Sequence, residues 1–345
     1  MIRFAFIVCS LLSFLQVAQG QDNKGWVYDP NPDKAFSAIS EVTLDGLDTN
    51  ALILSGNSIE VSTCVLANDS CTAVHYAIAD AQGDFFYEPD EASESDAFAE
   101  VNAFFHLQRA ADYFNDQHQS RWSCNCGSPV LNAFINPDVE EKAVSSLAFY
   151  QYNDCSSFSC GYVVLSKTVD QQGLVRSTAY DGDLLYHEYV HAIVDERNQN
   201  PGYSEDELGA SYEAGAVSEA IADYFAAVIS NDPQIGEHFA GIGSVPEKGA
   251  LRDISQRLSC PEDLSGQRHR DGRILASALW SLRSESADVA AMDQWVFESA
   301  INLSATPSFS SFVATMFDGL EDPQKQQPLA SKRVQAPNRY LPNVA

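Results

Sequence analysis

The chain has 345 residues, with 20 Lys+Arg against 48 Asp+Glu, a formal net charge of −28 at pH 7 and a pI near 4.3. With 45% hydrophobic and 20% charged residues it can bury a sizeable core, which excludes a wholly disordered chain. The acid excess excludes a nucleic-acid-binding surface as its main business, because neutralising phosphates takes clustered Lys and Arg.

At the start, Met1-Ile2-Arg3, an apolar run from Phe4 to Val17 and the small residues of Ala18-Gln19-Gly20 have the layout of a secretory signal peptide, cleaved between Gly20 and Gln21. The run falls short of a comfortable membrane span, and no later apolar stretch reaches about 18 residues, so a stable membrane anchor is not expected. The expected location is extracellular, or periplasmic in a Gram-negative cell. Of the eight cysteines, Cys64, Cys71, Cys124, Cys126, Cys155, Cys160 and Cys260 follow the leader. In an exported chain they point to disulfides. Cys64 with Cys71 and Cys155 with Cys160 suit local loops, although spacing does not fix the pairing and an odd count leaves one over. A thiolate metal site at Cys124-Asn-Cys126 is the less favoured reading.

Residues 21–90 hold turn formers and short alternating runs such as Glu41-Val-Thr-Leu and Ser58-Ile-Glu-Val-Ser, which predict strands. From Ala97 to about Asp116, Val101, Phe104, Phe105, Leu107, Ala111 and Phe114 keep helical spacing. Strand-like runs return over 129–170, in Leu131-Asn-Ala-Phe-Ile and Gly161-Tyr-Val-Val-Leu, and after Asp183 the pattern is mainly helical. The outline is a β-rich first half and an α-rich second half.

His187-Glu188-Tyr-Val-His191 sits in the helical segment Leu184 to Glu196. Residues i and i+4 share one helix face, so both imidazoles can reach one metal, and Glu188 lies close enough to hold a water there. Taken alone, this five-residue pattern fits a solvated face carrying two histidines equally well. A catalytic zinc needs three protein ligands and an open position. A second amphipathic helix, Gly215-Ala-Val-Ser-Glu219-Ala-Ile-Ala-Asp223-Tyr-Phe-Ala, carries Glu219 and Asp223 at i, i+4 opposite a stripe of Val217, Ala220, Ile221, Tyr224, Phe225 and Val228. Like charges so spaced repel by about 0.2–0.5 kcal/mol on a bare helix, an objection that a cation removes. Glu219 is therefore the expected third ligand. Asp223 is the expected acceptor that fixes the tautomer of a ligand histidine, His187 in the first instance.

HEYVH followed by GAVSEAIADYFA resembles the thermolysin and fungalysin groups of zinc metallopeptidases, the gluzincins. The resemblance implies a two-lobed α+β zincin fold. After the signal peptide, 1–20, a β-rich N-terminal lobe would span 21–195 and end in the HExxH helix, and a mainly α-helical C-terminal lobe would span 196–345. It implies a zinc-dependent endopeptidase with one Zn2+ per chain, acting on peptide or protein substrates as a monomer, with Glu188 as catalytic base. Leu131-Asn132-Ala133-Phe134 resembles the family's edge strand, whose backbone and Asn side chain bind an extended substrate. Arg252, in Ala250-Leu-Arg-Asp-Ile-Ser, resembles the arginine that contacts the substrate carbonyl beyond the cleaved bond. His269, in His-Arg-Asp-Gly272, resembles the transition-state histidine, with Asp263 as a possible orienting group. Leu184, Ile235 and Leu251 fall where the pocket for the residue after the cleaved bond is lined, which implies a preference for apolar residues there.

The departures are specific. The family places a Tyr before the glutamate ligand to support the oxyanion. Here the matching position is Ala210, with Tyr212 two residues off and Tyr203 further. The family's paired calcium site finds acidic residues at Asp183 and Glu237 but Ser230 and Gln234 at other positions. This argues against a double calcium site and leaves room for a single weaker one. The alternative from another class is an exported zinc-binding module without turnover, serving adhesion or inhibition, which would be expected to lack Glu188 or His269.

Overall fold

Ile59, Val61, Leu131, Ala133, Ile135, Val163 and Leu165 are all fully buried and alternate along their strands, so one sheet face is a continuous apolar surface. The computed structural model describes residues 22–29, 39–67, 70–124, 127–138, 148–152, 160–169, 173–199, 201–207, 209–239 and 249–321; the expected signal peptide lies outside them. A short ribbon, β1 (Lys24–Val27) with β2 (Ser40–Thr43), precedes β3 (Ile59–Ala67) and β4 (Ser70–Val74). Helix α1 (Ala97–His118) then crosses the sheet's apolar face to reach β5 (Leu131–Asp138), followed by β6 (Ala148–Gln151) and β7 (Tyr162–Leu165). These form a five-stranded sheet in the order β4-β3-β5-β7-β6. Pairs β3–β5 and β5–β7 are parallel, and the flanking pairs β3–β4 and β6–β7 are antiparallel.

A ribbon of β8 (Lys167–Val169) and β9 (Val175–Ser177) leads into α2 (Gly182–Asn198), and the hairpin β10 (Ser204–Asp206) with β11 (Gly209–Ser211) leads into α3 (Glu213–Ser230). A two-residue pair, β12 (Gln234–Ile235) with β13 (Arg252–Asp253), precedes α4 (Arg268–Glu285), α5 (Val289–Ile301) and α6 (Phe309–Glu321). The result is a mixed α/β fold with six α-helices among the described residues, strands concentrated before α2 and helices after it. One apolar core runs from Val27 through α1 and α2 to Met316. No helix among the described residues is long and apolar enough to cross a membrane.

Caps set the helix ends. Asp96, Asp181, Gln267 and Asp288 accept backbone N–H groups in the first turns of α1, α2, α4 and α5. The residues closing α1, α2 and α3, Gln119, Gln199 and Asn231, adopt left-handed conformations that return an N–H to the helix.

Two sequence expectations change here. Strand β5 is hydrogen-bonded on both sides, Glu60 opposite Asn132 on β3 and Tyr162 opposite Asn132 on β7, so Asn132 and Ala133 belong to the sheet's centre and not to an edge. The outer strands are β4 and β6. The second change is the disulfide Cys124–Cys160. Parallel neighbours begin at the same end of a sheet, and Cys124 precedes β5 as Cys160 precedes β7, so their sulfurs meet although 36 residues separate them. This displaces the local pair Cys155–Cys160 and removes Cys124 from any thiolate metal site; Cys155 and Cys126 lie outside the described residues. Cys64 is disulfide-bonded, while the side chain of its expected partner Cys71 lies outside the described residues, and Cys260 is a free thiol. Closing a loop of this length is worth about 4 kcal/mol in the chain-entropy account. The double variant Cys124→Ser/Cys160→Ser is expected to lose stability on that scale in urea denaturation, and an unchanged midpoint would contradict it.

Candidate metal centre

Helix α2 is buried around most of its circumference, so its polar residues are held inside the protein and not in water. His187 and Glu188 are 3% and 5% exposed, and Glu219 and Asp223 on α3 are 5% and 1% exposed. Helix α4 crosses α3 at Gly272, where a Cβ would meet the Ala216 carbonyl at 2.8 Å and the Glu219 Cβ at 3.1 Å. That close approach carries His269, one turn earlier, to Glu219.

His187, His191 and Glu219 form a group able to hold a metal ion. The hydrogen-bond partners of the two rings give this weight. Nδ1 of His187 is 2.9 Å from Asp223 Oδ1, and Nδ1 of His191 is 3.0 Å from Asp195 Oδ2. Each carboxylate accepts a hydrogen bond from Nδ1–H, which leaves Nε2 as a bare lone pair whenever the ring is neutral. Those two Nε2 atoms face one another at 3.0 Å, and Glu219 Oε2 stands 3.2 Å from the first and 3.7 Å from the second. Glu219 Oε2 is buried with no hydrogen-bond partner. Two imidazole nitrogens and a carboxylate oxygen converging in a dry pocket can share a cation, a metal ion or a proton, among them. Two His nitrogens and one carboxylate oxygen, with ring orientations fixed from behind, fit zinc at a site that keeps a position open. Burial alone would lower the affinity of both imidazoles for protons. Asp223 and Glu219 outweigh it at His187, and Asp195 and Glu219 at His191, so protons compete with a metal for the same lone pairs.

Around this group the remaining residues divide. Glu188 has a buried carboxylate oxygen, Oε2, with no hydrogen-bond partner, and burial holds its pKa above the usual carboxylate range against the opposing influence of His187 and His191. Arg252, on β13, makes a forked contact with Asp223, Nε to Oδ2 at 2.7 Å and Nη2 to Oδ1 at 2.8 Å, so one aspartate holds both a histidine and an arginine. His269 Nε2 lies 3.2 Å from Glu219 Oε1, the outer oxygen of that carboxylate. Leu184 is buried on α2, Leu251 is half-buried beside Gly236, and Ile235 is fully buried opposite Arg252.

Other expectations are not met. The carboxylate of Asp263 accepts from Ser259 N, and the group behind His269 is Gln267. Tyr212, at the start of α3, is 53% exposed and makes no side-chain capping bond, and Tyr203 is 45% exposed. Arg268 stands at the ligand instead, its Nε 3.3 Å from Glu219 Oε1. Sequence reasoning missed Arg268, Gln267, Asp195 and Ser218, whose hydroxyl joins His191 to Asp195. The i, i+4 spacing of His191 and Asp195 on the helix was the available signal for Asp195.

Asp183 and Glu237, the acidic residues expected to bear on calcium, are not part of the group able to hold a metal ion among the described residues. Asp183, in the first turn of α2, is fully buried beside Asp181 and hydrogen-bonds Glu237. Burial, then the charge of Asp181 and the contact with Glu237, raises its pKa well above the usual range, and burial also raises that of Glu237. Each carboxyl therefore holds its proton more tightly in the folded chain than in the unfolded one. A raised folded pKa in an acid gives stability that is present below the unfolded value near 3.8 and is lost as pH rises through the folded value. Asp183→Asn, which cannot ionise, is expected to flatten the decline in melting temperature that ionisation of this group causes as pH rises above the unfolded value of 3.8. A decline as steep as wild type, or a wild-type melting temperature that rises with added Ca2+, would contradict this tighter hold on the proton.

No family model matches the chain, and no curated protein matches it. Among solved structures, the precursor of protealysin, a metalloproteinase from Serratia proteamaculans, is similar with a TM-score of 0.48 and 14% sequence identity, covering 78% of this chain and 81% of that chain.

Proposed function

We propose that the protein is an exported zinc-dependent endopeptidase of the gluzincin type. The observation that carries this reading is the convergence of His187 Nε2, His191 Nε2 and Glu219 Oε2 beside a Glu188 carboxylate whose Oε2 has no partner. Zinc held by His187, His191 and Glu219 would supply a Lewis acid that polarises a peptide carbonyl and acidifies water.

The chain's own residues do the rest. Glu188 takes the proton of the attacking water and passes it to the departing amine, a role suited to a carboxyl whose pKa is raised. His269, whose Nε2 rests 3.2 Å from Glu219 Oε1, would turn that N–H from the carboxylate to the carbonyl oxygen as negative charge develops on it. Asp223 fixes the His187 ring and the Arg252 guanidinium together, which keeps the substrate-facing arginine in register with the metal ligand. On this reading the lobe boundary falls at 195–196. His187 and His191 come from one side, and Glu219, Arg252 and His269 from the other.

Since β5 is enclosed, an extended substrate strand would add to an outer strand, and β6 is the outer strand that packs on α2. Its Tyr150 hydroxyl donates to Glu196 on α2 at 2.5 Å, and Gly161 on the neighbouring strand's approach leaves room for that ring. Leu184, Ile235 and Leu251 would favour an apolar residue after the cleaved bond.

The test is metal analysis with casein hydrolysis, before and after removal of the metal by a chelator. The expected result is one zinc per chain, with hydrolysis lost on chelation and restored by Zn2+. One zinc per chain without chelator-sensitive hydrolysis would favour the zinc-binding module instead.

A further inference from the structure

Gln267 caps α4, its Oε1 accepting from Arg270 N at 2.7 Å. That bond decides which end of the amide is which, because a reversed amide would set its NH2 against a backbone N–H. The Nε2 amino group then lies 3.1 Å from His269 Nδ1. An amide NH2 only donates, so Nδ1 must present its lone pair, and the ring proton resides on Nε2, 3.2 Å from the Glu219 Oε1 acceptor. The two ends of the imidazole agree. The loop before the helix is pinned as well. Asp271, in the first turn of α4, accepts from Ser265 N and Oγ at 2.7 Å each and from Gly266 N at 2.9 Å. Asp263, the carboxylate that could have held the ring the other way round, is engaged with Ser259.

We propose that Gln267 is a positioning residue that holds His269 in the tautomer with its proton on Nε2, so that a neutral ring presents a donor to the reacting carbonyl. This rests on the peptidase reading, in which His269 faces the developing oxyanion. An imidazole with the opposite tautomer would turn a lone pair toward that oxygen and repel it. The device uses an amide donor where a carboxylate would draw the proton to Nδ1, and the helix cap orients the amide.

The tautomer can be read directly by 15N NMR of the labelled full-length protein, with the His269 signals identified by their loss in His269→Ala. The wild-type protein is expected to show a protonated Nε2 and a bare Nδ1. Gln267→Ser keeps a good N-cap acceptor but cannot reach Nδ1. It is expected to melt as wild type does, to show a mixture of tautomers, and to lose about 10- to 100-fold in kcat with little change in KM. Gln267→Glu also keeps a cap oxygen and is expected to move the proton to Nδ1. A protonated Nδ1 in the wild type would overturn the proposal. So would a Gln267→Ser variant with wild-type tautomer and wild-type kcat. If the wild type cleaves no peptide, the peptidase reading fails, and the NMR measurement still decides what Gln267 does to His269.

Discussion

Glu188→Gln is expected to lower kcat for peptide hydrolysis by about 10³-fold while zinc remains at one per chain and KM changes little. The substitution preserves shape and removes only the basic oxygen. Glu188 is not among the three converging donor atoms, so the metal-holding group is left intact. Its carboxylate sits in a pocket where burial raises its pKa, partly offset by His187 and His191, and it has an oxygen free to accept a proton. A buried glutamine at the same place can orient water but cannot take its proton. Loss of a single oxyanion donor, as in His269→Ala, is the smaller effect, about 10²-fold. Near wild-type hydrolysis by Glu188→Gln would rule out this residue as the base. Loss of zinc in the same variant would show that the glutamate serves the metal and not the chemistry.

What the sequence displayed follows from the physics of each element. The α2 and α3 faces were legible because helical periodicity converts spacing into direction: His187 and His191 at i, i+4, and Glu219 and Asp223 likewise, do point into one site. The strand pairing was not legible. Periodicity gives a strand's two faces but says nothing of its neighbours, so Asn132 and Ala133 read equally well on an edge or in the centre. The disulfide was hidden for the same reason, since Cys124 and Cys160 meet only through the parallel β5–β7 register. Loop groups were the hardest. Asp263 and Gln267 both precede His269, and only the turn pinned by Asp271 selects the amide over the acid. Arg268 has no periodic partner at all. It reaches Glu219 because α4 crosses α3 closely at Gly272.

Asp223→Ala is expected to cost about 3–5 kcal/mol of stability in the metal-free protein, because it strands a largely buried guanidinium. Burial would raise the Asp223 pKa, yet the charges of Arg252 and His187 hold it below the usual range, so the aspartate is ionised and carries two contacts at once. Removing it leaves Arg252 without its forked partner and frees the His187 ring to turn or to take a proton on Nε2, where the metal should bind. Zinc affinity should fall by about 10- to 100-fold as well. Asp223→Asn separates the two effects. Its amide oxygen can still accept from His187 Nδ1, so metal affinity should suffer less than stability, which depends on the lost charge opposite Arg252. Chemical denaturation of the metal-free variants and competitive zinc titration measure the two quantities independently. Equal stability in wild type and Asp223→Ala would mean that Arg252 finds another partner, and the link between the arginine and the metal ligand would then fail.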